Sequence, residues 1–255
     1  MKRQEFMQLL NSIMQPERIK DYCPNGLQVQ GSDTVTKIVT GVTASKELID
    51  AAIAHQADTI IVHHGYFWKN EPYPITGMKY RRIKALIDHN INLIAYHLPL
   101  DIHETLGNNV QLAKLLDIVD VQPLDDGNPL SVSLKGRYRE AMPADKVANK
   151  ISARLNRQCL HIAPSAADND QPITTLAWCT GGGQGFIEQA AEQGIDAFIT
   201  GEVSEQTTHI AREMGIHFFA AGHHATERYG VKALADYLQQ QYQLDATFID
   251  IDNPV

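Results

Sequence analysis

Three short segments place imidazoles and carboxylates where an apolar run gives way to a turn or helix. In "DTIIVHHG" the run Thr59-Ile60-Ile61-Val62 ends on His63 and His64. In "LIAYHLPLD" His97 is followed four residues later by Asp101. In "FAAGHHATE" His223 and His224 precede Glu227, again four residues beyond the first imidazole. In doubly wound sheets, ligands bind outside the carboxyl ends of the strands. Three such ends on neighbouring parallel strands would bring these groups to one edge of the fold. Imidazole with carboxylate and no nearby thiolate suits Zn, Fe, Mn or Co. The donors outnumber the needs of one ion. Two divalent ions per chain, about 3.5–4 Å apart and sharing a carboxylate and a water, would use them and make that water a nucleophile near neutral pH. The chemistry expected is metal-assisted hydrolysis of a small-molecule substrate or ligand.

For any one of these histidines a hydrogen-bonded structural role is the plainer reading; the ensemble is what argues for metal. His97 stays open, either a direct ligand or an outer group orienting Asp101 or a water. His224 is expected in an outer position, and His55, His89, His103, His161, His209 and His217 in surface or structural ones. "CTGGGQGF" follows a strand and opens a helix, so its amides could meet an anion, although a tight turn explains it more simply. Tyr66, Phe67 and Trp68 could wall a pocket and stack a heteroaromatic ring, or could simply pack in a core or an oligomer contact. Cys179, beside the glycine turn, is the thiol expected to approach the site.

The elements that must position these groups alternate. Residues 3–14 read as a helix, "KIVTGV" as a strand, and "SKELIDAAIAHQ" as a helix with Ser45 as its N-cap. "DTIIV", "KYRRIKALIDHN", "INLIAYH" and "NNVQLAKLLDI" continue strand, helix, strand, helix, which implies βαβ units and a mainly parallel sheet. Residues 125–172 break the rhythm as a small insert or lobe edge, after which alternation resumes. The chain also looks duplicated. "KIVTGVTASKELIDAAIAHQADTIIVHHG" (37–65) aligns without a gap on "TLAWCTGGGQGFIEQAAEQGIDAFITGEV" (175–203), placing Asp58 on Asp196 and His64 on Glu202. Residues 93–101 align on 219–227, placing His97 on His223 and Asp101 on Glu227. The expectation is an α/β fold of two similar lobes, 1–124 and 125–255, with a dinuclear metal site between them. Glu202 then becomes a candidate base or outer-shell acceptor.

Composition agrees with a globular chain. Of 255 residues, 44% are hydrophobic and 20% charged. No apolar window is long enough for a membrane span, and the N-terminus lacks the apolar core of a signal peptide. Cys23, Cys159 and Cys179 are odd in number and widely spaced, which suggests reduced thiols and a cytoplasmic location. A formal charge of −8 argues against general nucleic-acid binding.

At "PNGLQV", "IVHHGYFW", "HLPLD", "TGGGQ", "TGEVSEQ" and "AGHHATE" the sequence resembles the Nif-three-like proteins, known as GTP cyclohydrolase 1 type 2 homologues, over nearly its whole length. The resemblance implies a two-lobed α/β fold, a dinuclear metal site and a toroidal homohexamer. It implies His63, His64, Asp101, His223 and Glu227 as metal ligands, with Glu227 shared by both ions. A cyclohydrolase-type ring opening of a nucleotide-like substrate is one reaction it suggests. A non-enzymatic metal-binding, trafficking or regulatory role is the alternative.

Overall fold

The computed structural model describes residues 1–165 and 171–255; the last part of the 125–172 segment therefore lies partly outside the described residues. The fold is mixed α/β with two sheets, divided into two compact units. The first unit is Met1–Gly107 with Gly230–Asp252, and the second is Asn108–Tyr229 with Asn253–Val255. Among the described residues no helix is long and apolar enough to cross a membrane.

In the first unit the order is α1 (Arg3–Met14), β1 (Gly26–Val29), β2 (Lys37–Thr43), α2 (Lys46–Ala54), β3 (Thr59–His64), α3 (Gly77–Asp88), β4 (Asn92–Ala95) and the single turn α4 (Leu98–Asp101). The helix expected over 3–14 is α1. Phe6, Leu10 and Met14 recur along it at a spacing of four, so they share one face, and all three are buried. Ser45 caps α2 as expected, its hydroxyl accepting from the Leu48 N–H at 3.1 Å. The second unit runs α5 (Asn108–Leu115), β5 (Val119–Pro123), β6 (Leu134–Met142), α6 (Ala144–Leu155), β7 (Leu160–Ile162), β8 (Ile173–Cys179), α7 (Ile187–Glu192), β9 (Ala197–Thr200), α8 (Glu205–Glu213), β10 (His217–Ala220) and α9 (His223–Tyr242). The later part of α9 and the last strand, β11 (Asp245–Phe248), belong to the first unit.

The first sheet has the order β1-β4-β3-β2-β11, parallel except for the edge strand β1. The second is β5-β6-β8-β9-β10-β7, with parallel β8, β9 and β10 flanked by antiparallel neighbours. Of the described residues in 125–172, those of β6 and β7 are strands of the second sheet, with β7 at its edge. β3 and β4 are buried along almost their whole length, as expected of strands covered on both faces. Each sheet is sandwiched by two apolar clusters, around Ile61 and Ile60 in the first and around Trp178 and Phe198 in the second.

The two parallel cores share a register. Ile38 pairs with Thr59 and Thr40 with Ile61; 138 residues on, Leu176 pairs with Ala197 and Trp178 with Ile199. The aligned aspartates do the same work. Asp58 accepts from the N–H groups of Thr36 and Lys37, and Asp196 from those of Thr174 and Thr175. Each carboxylate satisfies the amides where the neighbouring strand begins.

Candidate metal centre

In the first unit, β3 delivers His63 and His64 at its carboxyl end, and β4 leads into His97 and α4, which carries Asp101. His63 is fully buried, and its Nδ1 lies 3.1 Å from the carbonyl oxygen of Tyr96. A carbonyl can only accept, so Nδ1 carries the proton and Nε2 presents the lone pair. His64 Nδ1 lies 3.2 Å from the Thr43 hydroxyl, and His97 Nδ1 lies 2.9 Å from an Asp21 oxygen. Asp101 Oδ1 stands 3.5 Å from His63 Nε2. The donor atoms of His63, His64 and His97 lie within 4.8 Å of one another. The site turn depends on Gly65, where a Cβ would meet Gln28 Oε1 at 2.2 Å. Gln28 in turn accepts from the Tyr66 N–H at 2.7 Å and donates to its carbonyl at 3.1 Å, pinning the chain as it leaves β3.

Of the three aromatics after the histidines, Trp68 belongs to this cluster. Its ring stands edge-on to His97 at 4.9 Å and lies 5.9 Å from His64. Tyr66 is a core residue whose hydroxyl donates to the Ala44 carbonyl, and Phe67 lies under the Lys79 ammonium. Tyr22 adds a second aromatic wall, 5.0 Å from His97. Cys23 is a thiol beside these groups: a donor atom of Cys23 lies within 4.8 Å of donors on Asp21 and His97. Burial and the adjacent Asp21 push that thiol up to about 12, so it is a poor nucleophile.

In the second unit the cluster is His223, Glu227 and Glu202. His223 Nδ1 is 2.6 Å from Glu202 Oε1, and its Nε2 is 3.2 Å from Glu227 Oε2. Burial alone would push His223 down, but the hydrogen bonds and charges of Glu227 and Glu202 reverse this and hold it up at about 9. The glycine turn serves this packing. Gly181 has φ +67°, and a Cβ there would meet Glu227 Oε1 at 2.1 Å; at Gly201 a Cβ would meet the His223 Cα at 2.5 Å. His224 is buried, and its backbone N–H donates to the Val255 carbonyl. Of the remaining histidines, His55, His89 and His209 are exposed, and His161 and His217 form a pair of their own at 3.0 Å.

One alignment shifts by a residue. Val62 pairs with Ala95 across β3 and β4, and its counterpart Thr200 pairs with Ala220 across β9 and β10. Counting two residues on, His97 corresponds to Gly222 and Leu98 to His223. His97 and His223 look like copies in the sequence, yet the strand register does not make them so.

The donor set fits divalent metal. Imidazoles standing beside the buried carboxylates Asp101 and Glu227 suit such ions, and hydrogen-bonded Nδ1 atoms, as at His63, His64 and His223, are the usual support of ligating histidines. The profile of Duf34/NIF3 (NGG1p interacting factor 3) matches residues 1–254. This chain belongs to that family. The NIF3 chain is 58% identical to the GTP cyclohydrolase 1 type 2 homolog of Vibrio cholerae over 97% of both proteins. Among solved structures it is similar to protein ybgI, described as of unknown function, at 52% identity and a TM-score of 0.93 over all of both chains. A Thermus thermophilus protein matches at 35% identity and a TM-score of 0.85, over 100% of this chain and 99% of the other.

Sequence reasoning missed Asp21, Asn25 and Gln28. They stand in or beside the "PNGLQV" segment that carried part of the resemblance, but no spacing rule links Asp21 and Asn25 to His97, 76 and 72 residues on, or Gln28 to Tyr66, 38 residues on.

Proposed function

We propose that this NIF3 protein binds two divalent ions per chain and uses them to hydrolyse a small, nucleotide-like substrate. His63, His64, Asp101, His223 and Glu227 are the ligands in this reading. The observation that carries it is the pairing of imidazole with carboxylate: His63 Nε2 stands 3.5 Å from Asp101 and His223 Nε2 3.2 Å from Glu227, while the Nδ1 atom of each ring is engaged by another protein oxygen. Bound ions of this kind act as Lewis acids and lower the pKa of water. The chain supplies the rest. Trp68 and Tyr22 offer aromatic surface on which a heteroaromatic ring can stack, and the buried carboxylates set the charge of the site. We further propose that the two units descend from one duplicated lobe, supported by the shared strand register and by Asp58 and Asp196, and that the protein works as a homohexamer.

Elemental analysis with anomalous diffraction tests the metal claim: two ions per chain at the named residues are expected. One ion at full loading, or ions elsewhere, would sink it. Turnover of Zn, Fe, Mn and Co forms is then screened against GTP, other nucleotides and cyclic amides. Turnover that a chelator abolishes and metal restores supports hydrolysis. A loaded protein with no turnover in any form points to a metal-binding or regulatory role.

A further inference from the structure

Asp21 is a buried carboxylate whose oxygens are all engaged. Oδ1 accepts from the Tyr22 N–H at 2.7 Å and from His97 Nδ1 at 2.9 Å; Oδ2 accepts from the Asn25 amide at 2.9 Å and from the Leu98 N–H at 2.9 Å. Asn25 completes the clamp by accepting from the His97 N–H at 2.7 Å. One short turn, 21–25, thus grips both the backbone and the ring of residue 97. Tyr22 and Trp68 flank the same ring edge-on, which limits its rotation.

The grip decides which nitrogen His97 can offer. An imidazole whose Nδ1–H donates to a carboxylate keeps its proton there and presents the Nε2 lone pair, with raised basicity. The ring lies 5.0 Å from that of His63 and 5.8 Å from that of His64. We infer that Asp21 is a positioning residue of the metal centre: acting through His97, it fixes the tautomer and direction of that ring so that Nε2 is turned to the ions held at His63 and His64. The inference rests on the metal-binding reading above. A purely structural Asp21, capping the turn of α4 through the Leu98 N–H, would leave metal affinity alone.

The test titrates metal-free protein with Co(II) against a chromogenic chelator while recording the visible ligand-field bands. The forms compared are the parent, Asp21→Asn, His97→Gln, the double variant, and Cys159→Ser as a control in the other unit. Asp21→Asn and His97→Gln should each weaken Co(II) binding about 10- to 100-fold, the usual effect of removing such a partner, and each should alter the bands. The double variant should bind no more weakly than His97→Gln alone, because both changes break one path. Cys159→Ser should match the parent. Thermal melting of the metal-free forms checks folding. If Asp21→Asn does not fold, Asp21→Glu, which keeps the charge but moves the carboxylate, carries the same expectations. Parental affinity and bands in the Asp21 variant, or losses that add in the double variant, would overturn the inference while leaving the metal reading intact. A parent that takes up no cobalt would bring down both.

Discussion

The two units build their candidate metal clusters on a similar strand plan and fill it differently. In the first, β3 ends on two imidazoles, and the passage from β4 to α4 adds a third imidazole and Asp101. At the corresponding places in the second, β9 is followed by Gly201 and Glu202, and the passage from β10 contributes Gly222. Its imidazole and carboxylate come instead from the first turns of α9, one residue out of step with the first unit. The first cluster is therefore an array of imidazoles held by a backbone carbonyl, a hydroxyl and the Asp21 carboxylate. The second is one imidazole held between two carboxylates. A shared scaffold does not impose shared ligands: strand register fixes the backbone, whereas the residues just beyond the strand end are free to diverge.

This contrast predicts that charge changes hurt most in the second cluster. Glu227→Gln keeps shape and removes the negative charge that a bound dication needs. Metal affinity should fall by more than about 100-fold by calorimetric titration, beyond what loss of an outer partner usually costs. A larger loss in His97→Gln would show that the imidazole array dominates. Gly181→Ala should come next. It forces a Cβ against Glu227 at 2.1 Å from a left-handed backbone position, so both thermal stability and metal uptake should drop. Parental uptake in that variant would mean that Glu227 has room to move and is not held by the turn. Glu202→Gln should cost about 10- to 100-fold in affinity as the hydrogen-bond partner of His223, and Thr43→Val, which removes only a hydroxyl beside His64, should cost less. Equal losses would erase the distinction between the two clusters.

Much of the plan was legible. Alternating apolar runs and caps gave the α/β class and the strands that carry the histidines, and a gapless alignment gave the Asp58 and Asp196 equivalence that the hydrogen bonds repeat. Two things were not legible. Matching His97 to His223 by the pattern His-x-x-x-acid is attractive in one dimension, but cross-strand pairing puts Gly222, not His223, two residues beyond the strand position that matches Ala95. The grip of Asp21 and Asn25 on His97 was hidden for a related reason: a contact spanning 76 residues has no periodic signature. Cys23 was overlooked with them, since its nearness to His97 comes from the same turn.

The second cluster should also impose a pH dependence on metal entry. With His223 held at about 9 in the metal-free protein, its ring is protonated at pH 7, and coordination through Nε2 must expel a proton. This group alone weakens apparent affinity by about tenfold for each pH unit below 9 and has no further effect above it. Calorimetry in two buffers of different ionisation enthalpy should show about one proton released from this site at pH 7. Metal uptake with no proton release would mean that His223 does not coordinate.

The smallest effect separates the fold of the second unit from its ligands. His217 starts β10, is buried, and has its Nδ1 3.0 Å from His161 Nε2, while its own Nε2 has no hydrogen-bond partner among the described residues. Burial and the neighbouring His161 push its pKa down from 6.5 to about 4. The sign follows from linkage. Above pH 6.5 both folded and unfolded chains hold His217 neutral, and it imposes no penalty. As pH falls from 6.5 towards 4 the unfolded chain takes a proton that the folded one refuses, so stability is lost across that window. By pH 5 the loss from this group is at most ~2 kcal/mol. His217→Gln cannot take that proton, although it also disturbs the bond to His161 at every pH. The comparison to make is therefore the change in unfolding free energy between pH 7.5 and pH 5, by urea denaturation of metal-free protein. That change should be smaller in His217→Gln than in the parent. An equal change in both would mean that His217 is not what makes this unit acid-sensitive.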